Sequence, residues 1–103
     1  MEMEISDVVL SLAGRDRGLL FYVVDVQGEY LLLANGKQRP WEKPKRKKAI
    51  HVRKVPRTES RIAGKLRSGE KVLNSELRRD LAALRQAMQQ SKPREVLTWP
   101  KTT

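Results

Sequence analysis

The chain has 103 residues, 22 Lys or Arg against 12 Asp or Glu, and a formal net charge of +10, which admits one small domain with an appendage and a thin core. No cysteine and a single histidine leave neither a disulfide framework nor a thiolate metal site, exclude most transition-metal centres and suit a reducing compartment. The longest unbroken apolar run, Leu19 to Val24, falls far short of the ~20 residues of a membrane span, and the acidic start MEMEISD lacks the regions of a secretory signal, so the expected location is cytoplasmic.

The first 55 residues carry strand patterns. Val8 to Leu12 is short and opens with β-branched residues, and Gly14-Arg15-Asp16-Arg17-Gly18 follows as a loop whose bracketing glycines permit positive φ. Leu19 to Val26 reads as a long, mostly apolar strand. Gln27-Gly28 turns the chain into Tyr30 to Ala34, and Asn35-Gly36 carries the signature of a type I′ hairpin, which requires positive φ at both central positions. Gln38 to Glu42 is a weaker strand, and its Pro40 belongs at an edge because it cannot donate to a ladder. Ile50 to Val55 closes the set, with Ile50 and Val52 facing one way and His51 and Arg53 the other. About five short strands joined by tight turns predict a mainly β N-terminal half, a small SH3-like barrel, since closure removes the exposed edges of a flat sheet.

Past Pro56 the period changes from 2 to 3.6. Thr58 is placed to cap a helix through about Arg67, with Ile62 and Leu66 on one face and Gly69 beyond its end. A second helix, capped by Asn74 or Ser75, carries Leu77, Leu81, Leu84 and Met88 in one stripe until Ser91 to Pro93 stops it. That stripe is expected to pack within the chain, against Ile62, Leu66 and the barrel. Arg78 and Arg85 lie two turns apart on its flank. The organisation predicted is a barrel with a basic loop over residues 1–57, a helical extension of about two helices over 58–91, and a flexible tail over 92–103.

Charge is sorted along the chain. Residues 1–36 sum to −4, residues 37–57 to +9 and residues 58–103 to +5. Within the middle segment, KPKRKKAIHVRKVPR (residues 43–57) holds eight Lys or Arg, one His and no acid. A concentrated positive field destabilises a compact chain and is best tolerated when a polyanion neutralises it. Nucleic acid is the expected partner.

Val9 to Val24, VLSLAGRDRGLLFYVV, is an apolar strand, a Gly-basic-Asp-basic-Gly loop and a second apolar strand, and it resembles the KOW motif. Together with LLLANGKQRPWEKPKRKKAIHVRKV (residues 31–55), it is similar to the KOW-domain RNA-binding proteins related to the SH3-like barrels of eukaryotic and archaeal large-subunit ribosomal proteins. Many such motifs have a further glycine soon after the one matched by Gly18, where this chain has Leu20-Phe21. The resemblance covers Val8 to Val55. It implies structured RNA as ligand, with ribosomal RNA of the large subunit as the partner. KOW motifs also occur in transcription elongation factors, where they often contact protein, so a protein-interaction module of a transcription or translation factor is the competing reading.

Arg15 and Arg17 would present guanidiniums to phosphate while Asp16 bonds the local backbone and fixes the turn; the alternative is an ordinary solvated loop. Lys43, Lys45, Arg46, Lys47 and Lys48, with Lys37, Arg39, Arg53, Lys54 and Arg57 around them, are read as phosphate contacts rather than base readers. Tyr22 and Tyr30 are read as core, whereas Trp41 fits either core or base stacking. His51 shares a strand face with Arg53 and is a candidate phosphate or 2′-hydroxyl contact. Arg78 and Arg85 would extend the basic surface. The sequence has no phosphate-cradling glycine loop, histidine pair, or nucleophile with a base beside it, so a non-enzymatic protein without cofactor or metal is expected. Self-association is not predicted.

Overall fold

Apolar residues on both faces of the first two strands decide how the chain packs. The computed structural model describes the backbone of residues 3–56 and 60–98, and side chains as far as residue 89. Five strands form first: β1 (Val8–Ser11), β2 (Leu20–Gln27), β3 (Tyr30–Ala34), β4 (Lys45–Lys48) and β5 (Val52–Val55). They make one antiparallel sheet in the order β4-β3-β2-β1-β5. The two edge strands β4 and β5 are joined by a single 3-10 turn, Ala49–His51. So short a link between opposite edges requires the sheet to roll up, which gives the SH3-like strand arrangement expected. A register shift between Val23 and Asp25 in the β2–β3 ladder marks a bulge at Val24, and such a bulge bends a strand and increases its twist.

Two helices follow, α1 (Arg61–Ser68) and α2 (Asn74–Thr98). Ser60 caps α1 by accepting from the Ala63 N–H, and Gly69 ends it at φ 78°; the predicted cap, Thr58, lies outside the described residues. At the start of α2, Glu76 Oε1 accepts from the Leu73 N–H, the carboxylate half of a capping box. Neither Asn74 nor Ser75 caps this helix as expected. Asn74 bonds sideways instead, accepting from the Trp41 N–H at 2.7 Å and donating to Glu42 at 2.9 Å. The helix also continues through Ser91 to Pro93, where a stop was predicted.

Alternation along β1 and β2 feeds two cores. Val9, Phe21, Val23, Leu31, Leu33 and Val52 fill the barrel. Their neighbours Val8, Leu20, Tyr22, Ala34 and Val55 point outward and are equally buried, because Ile62, Leu66, Val72, Leu77 and Leu81 cover them. Of the predicted helical stripe, Leu77 and Leu81 thus pack on the barrel and Leu84 lies partly buried against the same core, whereas Met88 is exposed. Burying those five helical and linker side chains contributes on the order of 10 kcal/mol gross, comparable with the net stability of a whole small domain. Tyr22 is fully buried and its hydroxyl meets Asp80 and Ser60, so a polar contact joins the barrel to both ends of the helical layer.

Two predicted strands are corrected. Residues Gln38 to Glu42 form turns, and the strand lies further on at β4. Asn35 is the cause: its Oδ1 accepts from the N–H groups of Lys37 and Arg39, both at 3.0 Å, a side-chain mimic of a backbone turn that ends β3. Positive φ occurs at Gly36 but not at Asn35, so the two residues do not form a type I′ turn. The alternation predicted from Ile50 also fails, since Ile50 sits in the 3-10 turn and is 75% exposed. In β5 it is Val52 and Val55 that are buried, Val52 inside the barrel and Val55 under the helices, with Arg53 and Lys54 exposed.

Candidate nucleic-acid interface

The basic run is not one uniform strip. Four of its residues form β4, and a strand sends successive side chains to opposite faces. Lys45 and Lys47 turn toward the glycine loop, where both meet Asp16, at 2.7 Å and 3.0 Å. Lys47 is buried and also donates to the Ala13 carbonyl at 2.8 Å. Ser11 Oγ donates to the same carboxylate at 2.7 Å. Asp16 therefore ties the loop to β1 and β4, rather than only to its own backbone as predicted. Burial works to raise its pKa, but hydrogen bonds from Lys45, Ser11 and Lys47 and the charge of Lys47 outweigh burial and hold the carboxyl well below the usual carboxylate range. Lys47 is spent on structure and is removed from the phosphate-contact set.

Arg46 and Lys48 take the opposite face. The Arg46 guanidinium lies 3.8 Å from the centre of the Tyr30 ring, and the Lys48 ammonium 6.0 Å, a cation–π arrangement. Tyr30 is half-buried rather than a full core residue.

Two hollows adjoin, the first between the barrel and α2 and the second on the barrel alone. The larger, about 370 Å³, has Leu19, Leu20, Leu81 and Ala82 among its apolar walls and carries Lys37, Arg78 and Arg85. The second, about 210 Å³, carries Arg15, Arg39 and Lys45, with Asp16 the one acid in its lining. Leu19 and Gln38 belong to both, so they form one groove with six cations drawn from the glycine loop, the loop after β3, β4 and α2. The two helix arginines are held in place: Arg78 donates to the Gly36 carbonyl at 2.6 Å and Arg85 to the Gly18 carbonyl at 2.5 Å. Each guanidinium has five N–H donors, so one bond to a loop orients the fork and leaves donors for an anion.

Of the remaining predicted residues, Arg17 and Lys43 are exposed on loops beside this region. His51, Arg53 and Lys54 are exposed at β5 and the turn before it, and Lys54 pairs with Asp7 at 3.5 Å. None of these lines the groove. Arg57 lies outside the described residues. Trp41 is half-buried and packs against the outer core. Leu19, Asn35 and Gln38 were not predicted; the Asn35-Gly36 turn signal was the available clue to the last two. Among the described residues no group of His, Cys, Asp or Glu side chains could hold a metal ion, and no helix is long and apolar enough to cross a membrane.

No protein-family model matches the chain, and no curated protein is significantly similar to it.

Proposed function

We propose that the protein binds structured RNA through its phosphate backbone, without catalysing a reaction, and that large-subunit ribosomal RNA is the ligand, as the KOW resemblance implies. The observation that carries the reading is the groove: six cations from four separate segments line one concave surface with a single carboxylate, and with Lys45 paired to that carboxylate five are left to meet an anion. Such convergence suits a polyanion, and an irregular concave surface suits recognition by shape and backbone rather than by base sequence.

Titration of the full chain with a structured RNA over a series of salt concentrations tests this. About five neutralised phosphates in unpaired or loop RNA give a slope of log K against log salt of roughly −3.5. Replacing Lys37 and Arg39 by Gln is expected to weaken binding and flatten the slope by about one per contact, whereas the same change at Arg46 and Lys48 leaves both nearly unchanged. A slope near zero refutes phosphate binding. Sedimentation of tagged protein from cell lysate then identifies the partner: ribonuclease-sensitive co-migration with large ribosomal subunits is expected, and nuclease-resistant association with another complex favours a protein-interaction module.

A further inference from the structure

The larger hollow of the groove differs chemically from a simple phosphate track. Its floor is apolar, built from Leu20 and Leu81, both more than nine-tenths buried, with Leu19 and Ala82 beside them, and its rim carries Lys37, Arg78 and Arg85 with no carboxylate in the lining. A phosphate gains nothing from leucines, and desolvating them under a charged backbone stabilises nothing. The size, about 370 Å³, is at the lower end of small-molecule pockets. One polar group reaches in from the side: Gln38 is exposed, and its Oε1 already accepts from Asn35 Nδ2 at 2.8 Å, which leaves its amide N–H donors free to meet an acceptor. An apolar floor, a fixed amide donor and a cationic rim are the three requirements of one nucleotide whose base has left its stack.

Resting on the RNA-binding reading, we propose that this hollow receives a single unpaired nucleotide of the bound RNA. The base lies on Leu19, Leu81 and Ala82, Gln38 donates to an acceptor on its edge, and Arg78, Arg85 and Lys37 hold the flanking phosphates. A continuous A-form helix cannot enter, because its bases are stacked inside and offer only their edges in the shallow groove. The protein therefore prefers RNA with a bulge or loop to fully paired RNA of equal length.

The test uses the full chain and two hairpin RNAs, identical except that one carries a single bulged adenine, replaced by 2-aminopurine for fluorescence. Wild type is expected to bind the bulged hairpin about tenfold more tightly, the effect of burying about 60 Å² of apolar surface at about 25 cal/mol per Å², with a changed 2-aminopurine signal as the base moves to its new surroundings. Ala82→Phe fills the hollow from an exposed helix position without removing a charge; it is expected to abolish the fluorescence change and to lower affinity for the bulged hairpin to that for the fully paired one. Should Ala82→Phe fail to fold, Gln38→Ala provides the second variant, with a smaller loss of preference expected. Equal wild-type affinity for both hairpins, with no fluorescence change, overturns this inference alone. Failure to bind either hairpin overturns the functional reading and this inference with it.

Discussion

Removing the Asp16 carboxylate should damage the fold more than the loss of any exposed acid. In Asp16→Ala the buried Lys47 ammonium keeps only the Ala13 carbonyl, while Lys45 and Ser11 lose their shared acceptor. Stripping one partner from a buried ion pair costs about 3 to 5 kcal/mol. The lower end applies here, since Lys45 is one quarter exposed and one hydrogen bond to Lys47 survives. About 3 kcal/mol corresponds to a fall in Tm of roughly 10 to 20 °C for a domain of this size. Urea denaturation of wild type, Asp16→Ala, Lys47→Met and the double variant at pH 7 measures it. Lys47→Met should cost less, because Asp16 retains Lys45 and Ser11, and the double variant should be no less stable than Asp16→Ala. The pH dependence has a definite sign. The folded carboxyl titrates below its unfolded value, so the unfolded chain binds the proton more readily; the contribution is complete above about pH 5 and is lost as the pH falls through about 4 toward the folded value. Asp16→Ala should lack that component of the acid limb. A variant within about 0.5 kcal/mol of wild type, with an unchanged acid limb, refutes the account of Asp16 as the loop's anchor.

Three further outcomes are expected. Gly36→Ala should destabilise the chain by about 2 kcal/mol or more, measured by denaturation, because Gly36 sits at φ 78° and an added Cβ would come within 2.3 Å of the Asn74 carbonyl oxygen. Tyr22→Phe should cost about 1 to 3 kcal/mol, since it deprives Asp80 and Ser60 of the hydroxyl between barrel and helices. A fragment of residues 1–56 should give no dispersed amide NMR spectrum, because loss of the helices uncovers Val8, Leu20, Tyr22, Ala34 and Val55 together; a well-dispersed spectrum would show that the barrel folds alone.

The sequence disclosed the strands whose signal was unambiguous: β1, β2 and β3 lie within a residue or so of their predicted places, and Gly69 ends α1 as expected. It misled where one residue type serves two purposes. Lysines in KRKK look like solvated charge in any linear reading, yet the pleat sends alternate ones inward, and only the position of Asp16 on a different loop reveals that Lys47 is buried. Asn35-Gly36 is a genuine turn signal, but the local sequence could not show that the Asn35 side chain organises a longer loop instead of a two-residue hairpin. The groove was legible only in fragments. Arg15, Lys37, Arg39, Lys45, Arg78 and Arg85 were each candidates, but bringing Arg78 and Arg85 beside the other four depends on docking α2 on the barrel, a long-range event set by Leu77 and Leu81. Trp41 was open for a related reason, because it packs on the core shared by the two halves and its N–H bonds Asn74 in the helical half.

The arginine clamps from α2 to the Gly18 and Gly36 carbonyls have a consequence for the order of events during synthesis. They join residues 67 and 42 positions apart, so the larger hollow has no wall until the chain has been made at least as far as Arg85 and α2 has docked. A nascent chain that has emerged only through the barrel already displays its basic loops but has no groove. On the proposed RNA-binding reading, ligand capture is thereby tied to synthesis through Arg85, and nascent chains halted before that residue would expose segments with charge but without the α2 side of the hollow.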